Sequence, residues 1–296
     1  MIFPFCGNIR RAALKGVALL FLCGSISVAA PDTKSKKAET AKDIIEKAFN
    51  LSLQKDRSQA INILVGAIRQ ENLRNGNASE LLKALQQVSY LFYSDRAQQN
   101  YELALSLRRT EPAQSQQKLS EALRVETDNL SLFNEMQRLL IIRGDCSNAF
   151  ENITKERLQD PYDEFLILLQ AQANACLGKW ESYVKTRDLS DYKKSNQYKF
   201  WLGLEIEYQL SQKSQVKAKE LQNTLAKLDG KYPEAHYWNW RVALVANEKQ
   251  TAGQKYVKEC KNLPAALYRQ YMIDVNLCRR VSDVETASKV TNGSTE

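Results

Sequence analysis

The residues that could carry out chemistry are few, and the first to consider is a single histidine. The chain of 296 residues contains one His, His236. A Ser–His or Cys–His nucleophilic pair would have to use it. His236 lies at the aromatic-rich start of a predicted helix, between Ala235 and Tyr237, where a packing or capping role accounts for it. Its setting therefore predicts a structural role.

Acidic pairs give no second route to catalysis. Glu205 and Glu207 are two residues apart on a predicted helix, so their side chains point in different directions. Asp163 and Glu164 follow Pro161 at a predicted helix start, where negative charge is favourable. The sequence has no phosphate-binding glycine loop, no dinucleotide-binding glycine pattern and no zinc-type cysteine spacing. We therefore predict a protein that is not an enzyme and needs no cofactor or metal.

Four cysteines lie beyond the N-terminal region, and this even number suits disulfide formation in an oxidising compartment. Cys146 starts the second helix of one predicted helix pair, and Cys176 lies near the end of the first helix of the next pair. These helices would be adjacent and antiparallel, so we expect a Cys146–Cys176 disulfide that contributes roughly 3–4 kcal/mol on the loop-entropy model. Two buried free thiols are the alternative.

Cys260 and Cys278 form the second candidate pair. If helices span residues 251–262 and 265–280, Cys260 lies opposite residues 266–268. Cys278 is then roughly 15 Å further along the helix axis. The even cysteine count supports this bond and the simple hairpin geometry opposes it, because the bond needs a bend or a shorter helix.

Helices must position these groups, and hairpin-like units recur every 34 residues, starting near Arg96, Leu130 and Glu164. A fixed period of this length is typical of stacked helix pairs, none of which can bury its apolar face alone. In the unit from Leu130, Gly144 suits a left-handed C-cap and Asp145 suits an N-cap. The composition agrees, because the chain is 44% apolar with only 11 Gly and 6 Pro. The sequence therefore predicts an all-α chain.

The unit from Leu130 also resembles the tetratricopeptide repeat. Its residues on the positions that this family favours are Phe133, Met136, Leu140, Gly144, Ala149, Ile153 and Pro161. Gln137 and Glu156 depart from the pattern, because small residues are expected there. The resemblance covers roughly residues 41–231, with gaps. It implies a right-handed α-solenoid of stacked antiparallel helix pairs, with about 12–14 helices and a concave face that binds peptides or proteins.

The phase of the repeat decides which residues face the groove, and the sequence leaves that phase open. A unit from Ala78 would place Ala97, Tyr101 and Ala104 on the second helix. In the phase from Arg96, the residues that line the groove are Asn100, Arg108, Asn134, Arg138 and Gln172. Asn can bond a peptide backbone through both its amide oxygen, which accepts, and its amide nitrogen, which donates, and Arg can hold a carboxylate. The phase from Arg96 therefore predicts a peptide-binding groove. The alternative is that these five residues are ordinary polar surface residues.

Residues 1–29 predict a cleaved signal peptide. Arg10, Arg11 and Lys15 precede a mostly apolar stretch over residues 16–28, which small residues follow. An uncleaved anchor and a twin-arginine signal remain alternatives. A lipoprotein signal at Cys23 is less favoured, because Leu22 precedes it. We expect a periplasmic or secreted protein.

The rest of the chain divides into four predicted parts. Residues 30–40 are a polar, flexible lead-in, residues 41–264 form the solenoid, and residues 265–282 form a C-terminal capping helix. Residues 283–296 are small and polar, which predicts a disordered tail.

Positive charge is concentrated in the later half of the chain. Residues 179–280 hold 19 Lys+Arg and 11 Asp+Glu, and they contain all four Trp. This half could bind anionic membrane or cell-wall surfaces, acidic peptides or sugars. Solvated helix faces and core aromatic residues are the alternative. The best members of a basic patch are Lys193, Lys194, Lys213, Lys217 and Lys219.

These features favour an exported, non-catalytic scaffold or adaptor of the cell envelope that binds another envelope protein or a peptide on its concave face. The alternative is a module that binds cell-wall glycan or assists an envelope-remodelling enzyme, which is a fold-level analogy. We do not expect nucleic acid as a partner, because the chain is predicted to be exported. Replacing Asn134 and Arg138 by Ala is expected to weaken partner capture without unfolding the protein.

Overall fold

A computed structural model describes residues 39–292, with side chains to residue 287, and these residues form helices and no strands. The predicted all-α class is confirmed. The predicted signal peptide over residues 1–29 and nearly all of the lead-in lie outside the described residues. The fifteen helices of the described part are α1 Ala41–Leu53, α2 Arg57–Leu73, α3 Ser79–Tyr90, α4 Asp95–Leu107, α5 Pro112–Val125, α6 Leu130–Ile142, α7 Cys146–Gln159, α8 Glu164–Cys176, α9 Trp180–Arg187, α10 Tyr198–Ser211, α11 Gln215–Leu228, α12 Pro233–Val242, α13 Ala246–Lys261, α14 Ala265–Tyr271 and α15 Val281–Asn292.

Helices α4 to α13 stack as five antiparallel pairs, and the second to fourth pairs begin 34 residues apart, at Leu130, Glu164 and Tyr198. Helices α6, α8, α10 and α12 are the first helices of the last four pairs, and each contacts the next. We call these four helices the inner row. In α8, every residue from Leu166 to Asn174 is buried, because neighbours cover this helix on all sides. The predicted α-solenoid of stacked antiparallel helix pairs is confirmed.

The turns inside the second, third and fourth pairs each contain a residue with left-handed backbone. Gly144 has φ +86° and Gly178 has φ +65°, each directly after the first helix of its pair. The left-handed C-cap predicted at Gly144 is confirmed. Lys213 occupies the corresponding turn after α10 with φ +58°, where a side chain costs about 1 kcal/mol relative to Gly. Asp145 precedes α7 as predicted, but its side chain makes no capping hydrogen bond.

Helices α1, α2 and α3 form a separate three-helix unit at the N-terminal end of the stack, with a core of its own. The guanidinium of Arg57 is fully buried where this unit meets the later helices. Arg57 donates to the backbone oxygen of Val88 at 3.2 Å, and forms ion pairs with Glu126 at 3.1 Å and Asp128 at 2.7 Å. This cation therefore joins α2, the end of α3 and the turn between α5 and α6.

The C-terminal region differs from the prediction. Helix α14 ends at Tyr271, residues 272–280 are irregular, and α15 begins at Val281. The single capping helix predicted over residues 265–282 is therefore wrong. The described residues from 283 to 292 are helical, so the disordered tail predicted over residues 283–296 is wrong for that part.

Both predicted cysteine pairings form disulfides. The Cα atoms of Cys146 and Cys176 are 6.2 Å apart, and those of Cys260 and Cys278 are 5.5 Å apart. The early end of α14 resolves the conflict over the second pair, because the irregular residues return the chain to the end of α13. Cys278 itself has φ +57° at this return.

Among the described helices, none combines the length and the apolar character that crossing a membrane requires.

Candidate binding surface on the inner helix row

The irregular residues 272–280, which we call the C-terminal strap, cross the inner row. The backbone oxygen of Ile273 accepts a hydrogen bond from Gln172 Nε2 of α8 at 3.1 Å. The backbone N–H of Cys278 donates to Glu234 Oε1 of α12 at 2.8 Å. Arg279 donates to the backbone oxygen of Ile142 at the end of α6. The inner row therefore holds a non-helical segment of its own chain, in part through bonds to that segment's backbone.

Arg280 fixes the end of the strap. Its guanidinium carbon lies 4.5 Å from the centroid of the Tyr237 ring and 5.3 Å from that of Trp238. Its nitrogens lie 3.6 Å from Glu207 and 3.8 Å from Glu234. Cation–π contacts and partly buried ion pairs reinforce each other here, because little water screens them.

Two carboxyl groups lie near each other, Asp274 in the strap and Glu234 in α12. Tyr232 donates a hydrogen bond to Asp274, and Glu234 is fully buried. Burial raises the pKa of both carboxyls, and the nearby charge of Asp274 raises the pKa of Glu234 further. A group with a raised pKa favours the protonated form, so this pair holds less negative charge than two surface carboxylates would.

Three of the predicted groove residues have partners within the chain. Arg108 and Arg138 lie on either side of the Glu135 carboxylate, and Gln172 contacts the strap. Arg108 Nη1 lies 2.8 Å from Glu135 Oε1, and Arg138 Nη1 lies 3.3 Å from Glu135 Oε2. All three side chains are buried. Gln172 is also buried, because it bonds the strap. These side chains are therefore engaged within the chain and do not line an open groove.

Asn134 is buried as well, in a chain of hydrogen bonds. Its Nδ2 donates to the hydroxyl oxygen of Tyr90 at 2.9 Å, and that hydroxyl donates to Asp163 Oδ2 at 2.9 Å. Asn100 alone of the five predicted residues stays half-buried. Because Asn134 and Arg138 are both buried, replacing them by Ala would disturb folding as well as any partner contact, and the pair no longer gives a clean test of binding.

Asp163 is expected to make stability depend on pH. Burial raises its pKa to about 7, and the nearby Asp160 carboxylate adds to the shift. The folded state then binds a proton that the unfolded state releases near pH 4. This contribution to stability is full at low pH and is lost as the pH rises through 7. Replacing Asp163 by Asn, which keeps the N-cap acceptor, should remove the loss.

The measurement is urea unfolding of the wild-type protein and Asp163→Asn at pH 5 and pH 8. The stability of wild type relative to the variant should fall by about 2–3 kcal/mol between these pH values. Asp56→Asn is the matched control, because Asp56 is also an N-cap acceptor but is exposed. An equal pH response in the two variants would contradict the assignment to Asp163.

The structure does not bring the predicted basic residues together. Lys193 and Lys194 precede α10, whereas Lys213, Lys217 and Lys219 follow it, so the two groups are separated by about 20 Å of helix. Lys194 pairs with Asp191 at 2.6 Å, and Lys219 pairs with Glu248. The five lysines therefore form two small groups, each partly neutralised.

The tryptophans of the later half are mostly core residues. Trp201 and Trp238 are buried, and Trp180 and Trp240 are half-buried against the same core. Sugar-binding sites need exposed aromatic faces, so this arrangement does not favour stacking of glycan on the tryptophans.

Neither His236 nor the sulfurs of Cys260 and Cys278 form a catalytic or metal-binding group. His236 Nε2 lies 3.1 Å from Glu259 Oε2, and burial lowers the pKa of His236 to about 4. The imidazole is therefore neutral at pH 7. Glu234 lies within 4.8 Å of the sulfurs of Cys260 and Cys278. Those sulfurs are bonded to each other and are not free thiolates that could bind a metal.

Sequence reasoning missed the strap, the carboxylate of Glu135 and the buried Arg57. Glu135 follows Asn134 in an otherwise ordinary amphipathic helix, and nothing in the local pattern shows that two arginines converge on it. The one usable signal for the strap was the cysteine count, since a Cys260–Cys278 bond requires the chain to turn back.

Comparison with models of known protein families gives no match, and comparison with curated proteins gives no significant relative. The function has to be inferred from the geometry of the inner row.

Proposed function

We propose that this protein is an exported, non-catalytic interaction scaffold of the cell envelope, which binds a partner peptide or protein on the inner side of its helical stack. The observation that supports this function is the strap. Gln172 and Glu234 bond its backbone, at Ile273 and Cys278, and no regular secondary structure is needed for this contact. A surface that holds one irregular segment by its backbone suits the binding of another.

A cavity of about 330 Å³ provides open surface next to the inner row. It lies where α3 meets the start of α8 and the residues before α10. The side chains that suit a peptide backbone are Gln86, Asn196 and Gln197, since amides can both donate and accept. Phe165 and Tyr162 add aromatic surface beside them. We propose that the partner's chain lies here.

Export is supported by the cysteines. Cys146, Cys176, Cys260 and Cys278 are all bonded in the structure. Disulfides of this kind form and persist in oxidising compartments such as the periplasm or the cell exterior. Tetratricopeptide-like membership and the signal peptide remain parts of the same proposal, together with the absence of catalysis, cofactors and metals.

The test places a photo-crosslinking residue at Lys83 or Gln197 in cells that export the full chain. Both residues line the cavity. We expect discrete crosslinked bands at these two positions. Lys155, an exposed residue of α7 outside the cavity lining, is the matched control and should give none of these bands. Identical patterns at all three positions, or no crosslinks at the cavity positions, would contradict the proposed surface.

A test variant and a control variant check whether the side-chain amides of the cavity bind the partner. With the crosslinking residue at Lys83, replacing Gln86 and Gln197 by Ala should reduce recovery of the partner about thirtyfold, because the two lost backbone contacts contribute about 1 kcal/mol each. Replacing exposed Lys155 by Ala should leave recovery unchanged. Retained recovery in the double variant would show that the partner lies elsewhere.

A further inference from the structure

A second cavity, of about 310 Å³, lies between the strap, the end of α13 and helices α4 to α6. It adjoins the disulfide between Cys260 and Cys278. Ligand pockets range from about 300 to 1,000 Å³, so this cavity suits a small molecule. Its apolar lining consists of Leu139, Ile142, Tyr268, Val275, Leu277 and Val281.

Three arginines that line this cavity form no ion pair with an acidic residue among the described residues. Arg109 donates to the backbone oxygens of Cys260 at 2.8 Å and Leu263 at 3.3 Å. Arg143 bonds the side chain of Gln116, and Arg279 bonds a backbone oxygen of α6. Neutral acceptors position these guanidinium groups, and all three arginines remain exposed to solvent at the rim of the cavity, so their charges are available to a ligand.

A fourth arginine adds a buried donor. Arg108 is buried in the cavity lining, and its Nη1 is used by Glu135. Its Nε has no hydrogen-bond partner although it is buried. A buried donor without a partner costs free energy, which a bound acceptor would recover.

The one acidic residue in the lining does not balance these cations. Asp274 accepts hydrogen bonds from the Tyr232 hydroxyl and, at 2.8 Å, from the backbone N–H of Asn276. Burial raises the pKa of Asp274. Lys261, also in the lining, is already paired with Glu285 at 2.6 Å. The cavity is therefore positively charged on one part of its wall and apolar on the rest.

We propose that this cavity binds a small monocarboxylate with an apolar body. The carboxylate would be bonded by Arg109, Arg143 and Arg279, because guanidinium groups match the planar, two-oxygen acceptor. The apolar body would lie against Ile142 and Val275. The ligand is either a free organic acid or the C-terminal carboxylate of a peptide that ends in an apolar residue. This site does not depend on the proposed function.

Such a ligand would connect the strap to the helical stack. Arg279 and Val275 belong to the strap, whereas Arg143 and Ile142 lie at the end of α6. A molecule that contacts both sides stabilises the strap in its place on the inner row. Binding is therefore expected to raise the melting temperature of the full chain.

The experiment is isothermal titration calorimetry of the full chain with octanoate, and with 1-octanol as the uncharged match. N-acetyl-leucine and N-acetyl-leucinamide test the peptide-terminus source in the same way. We expect saturable binding of at least one carboxylate, at least tenfold weaker binding of its uncharged match, and a raised melting temperature with the carboxylate. Binding of N-acetyl-leucine alone would assign the site to peptide ends.

Substitutions test whether the arginines of this cavity bind the carboxylate, or whether any surface arginine would have the same effect. Arg143→Gln removes a surface side chain bonded only to Gln116, so the fold is expected to persist. It should weaken carboxylate binding about tenfold, whereas Arg74→Gln, an exposed arginine elsewhere, should not. Arg109→Gln with Arg143→Gln should abolish binding while circular dichroism stays unchanged. Absence of saturable binding by both carboxylates, equal binding of the uncharged matches, or equal loss in Arg74→Gln would overturn the proposal.

Discussion

Replacing Arg57 by Ala is expected to lower the free energy of unfolding by about 3–5 kcal/mol, because the change leaves a buried charge without its partner. Glu126 would lose an ion pair in a site where its side chain is only 4% exposed. Its remaining partners, the backbone N–H groups of Tyr93 and Ser94 and the side-chain amide of Asn129, are neutral donors and cannot neutralise it. Two backbone oxygens would also lose the Arg57 donor.

Chemical denaturation followed by circular dichroism measures this loss directly. Arg57→Lys keeps the charge but loses the planar fork that reaches several acceptors at once, so its loss should be intermediate. Arg74→Ala is the matched control, because Arg74 is exposed and lies 3.7 Å from Glu71. This surface pair should contribute less than about 1 kcal/mol. Equal losses for Arg57→Ala and Arg74→Ala would show that Arg57 does not join the N-terminal unit to the stack.

The second large effect is expected at Glu135, where replacement by Ala would leave Arg108 and Arg138 buried with no carboxylate between them. Both guanidinium groups have less than 10% of their side-chain surface exposed. Removing the shared partner of two buried cations should cost about 3–5 kcal/mol, because the two charges then repel each other without screening by water.

A double-mutant cycle tests whether the three residues act together. The variant with both Glu135→Ala and Arg138→Ala should lose less stability than the sum of the single variants, since the second change removes one of the stranded charges. Glu248→Ala is the control, because Glu248 forms an exposed ion pair with Lys219 and should cost about 1 kcal/mol or less. Strict additivity at Glu135 and Arg138 would contradict the shared ion pair.

The regular part of the fold could be predicted because its information is local. Apolar residues at helical spacing, the turn glycines Gly144 and Gly178 and a fixed period predict where the helix pairs begin, and the structure places the starts of α6, α8 and α10 at Leu130, Glu164 and Tyr198. The Cys146–Cys176 bond follows from the same regularity, because adjacent helix pairs bring those two positions together.

The sequence could not predict which residues of the candidate groove are exposed. The phase from Arg96 predicted that Arg108, Asn134, Arg138 and Gln172 line a groove open to a partner, but all four are buried, because exposure does not follow from helix phase. Burial depends on what covers a helix face, and for Gln172 the cover is a segment about a hundred residues further along the chain. The Gln172–Ile273 hydrogen bond spans 101 residues.

The sequence by itself determined the helical class, the 34-residue spacing, the turn glycines and one disulfide, because each depends on residues near one another in the chain. Only the tertiary structure decided the course of the strap, the Cys260–Cys278 pairing and the cationic cavity beside it. These features depend on long-range contacts such as that between Ile142 and Arg279, which are 137 residues apart. No local periodicity encodes such a contact, because its free energy exists only once the helices are stacked.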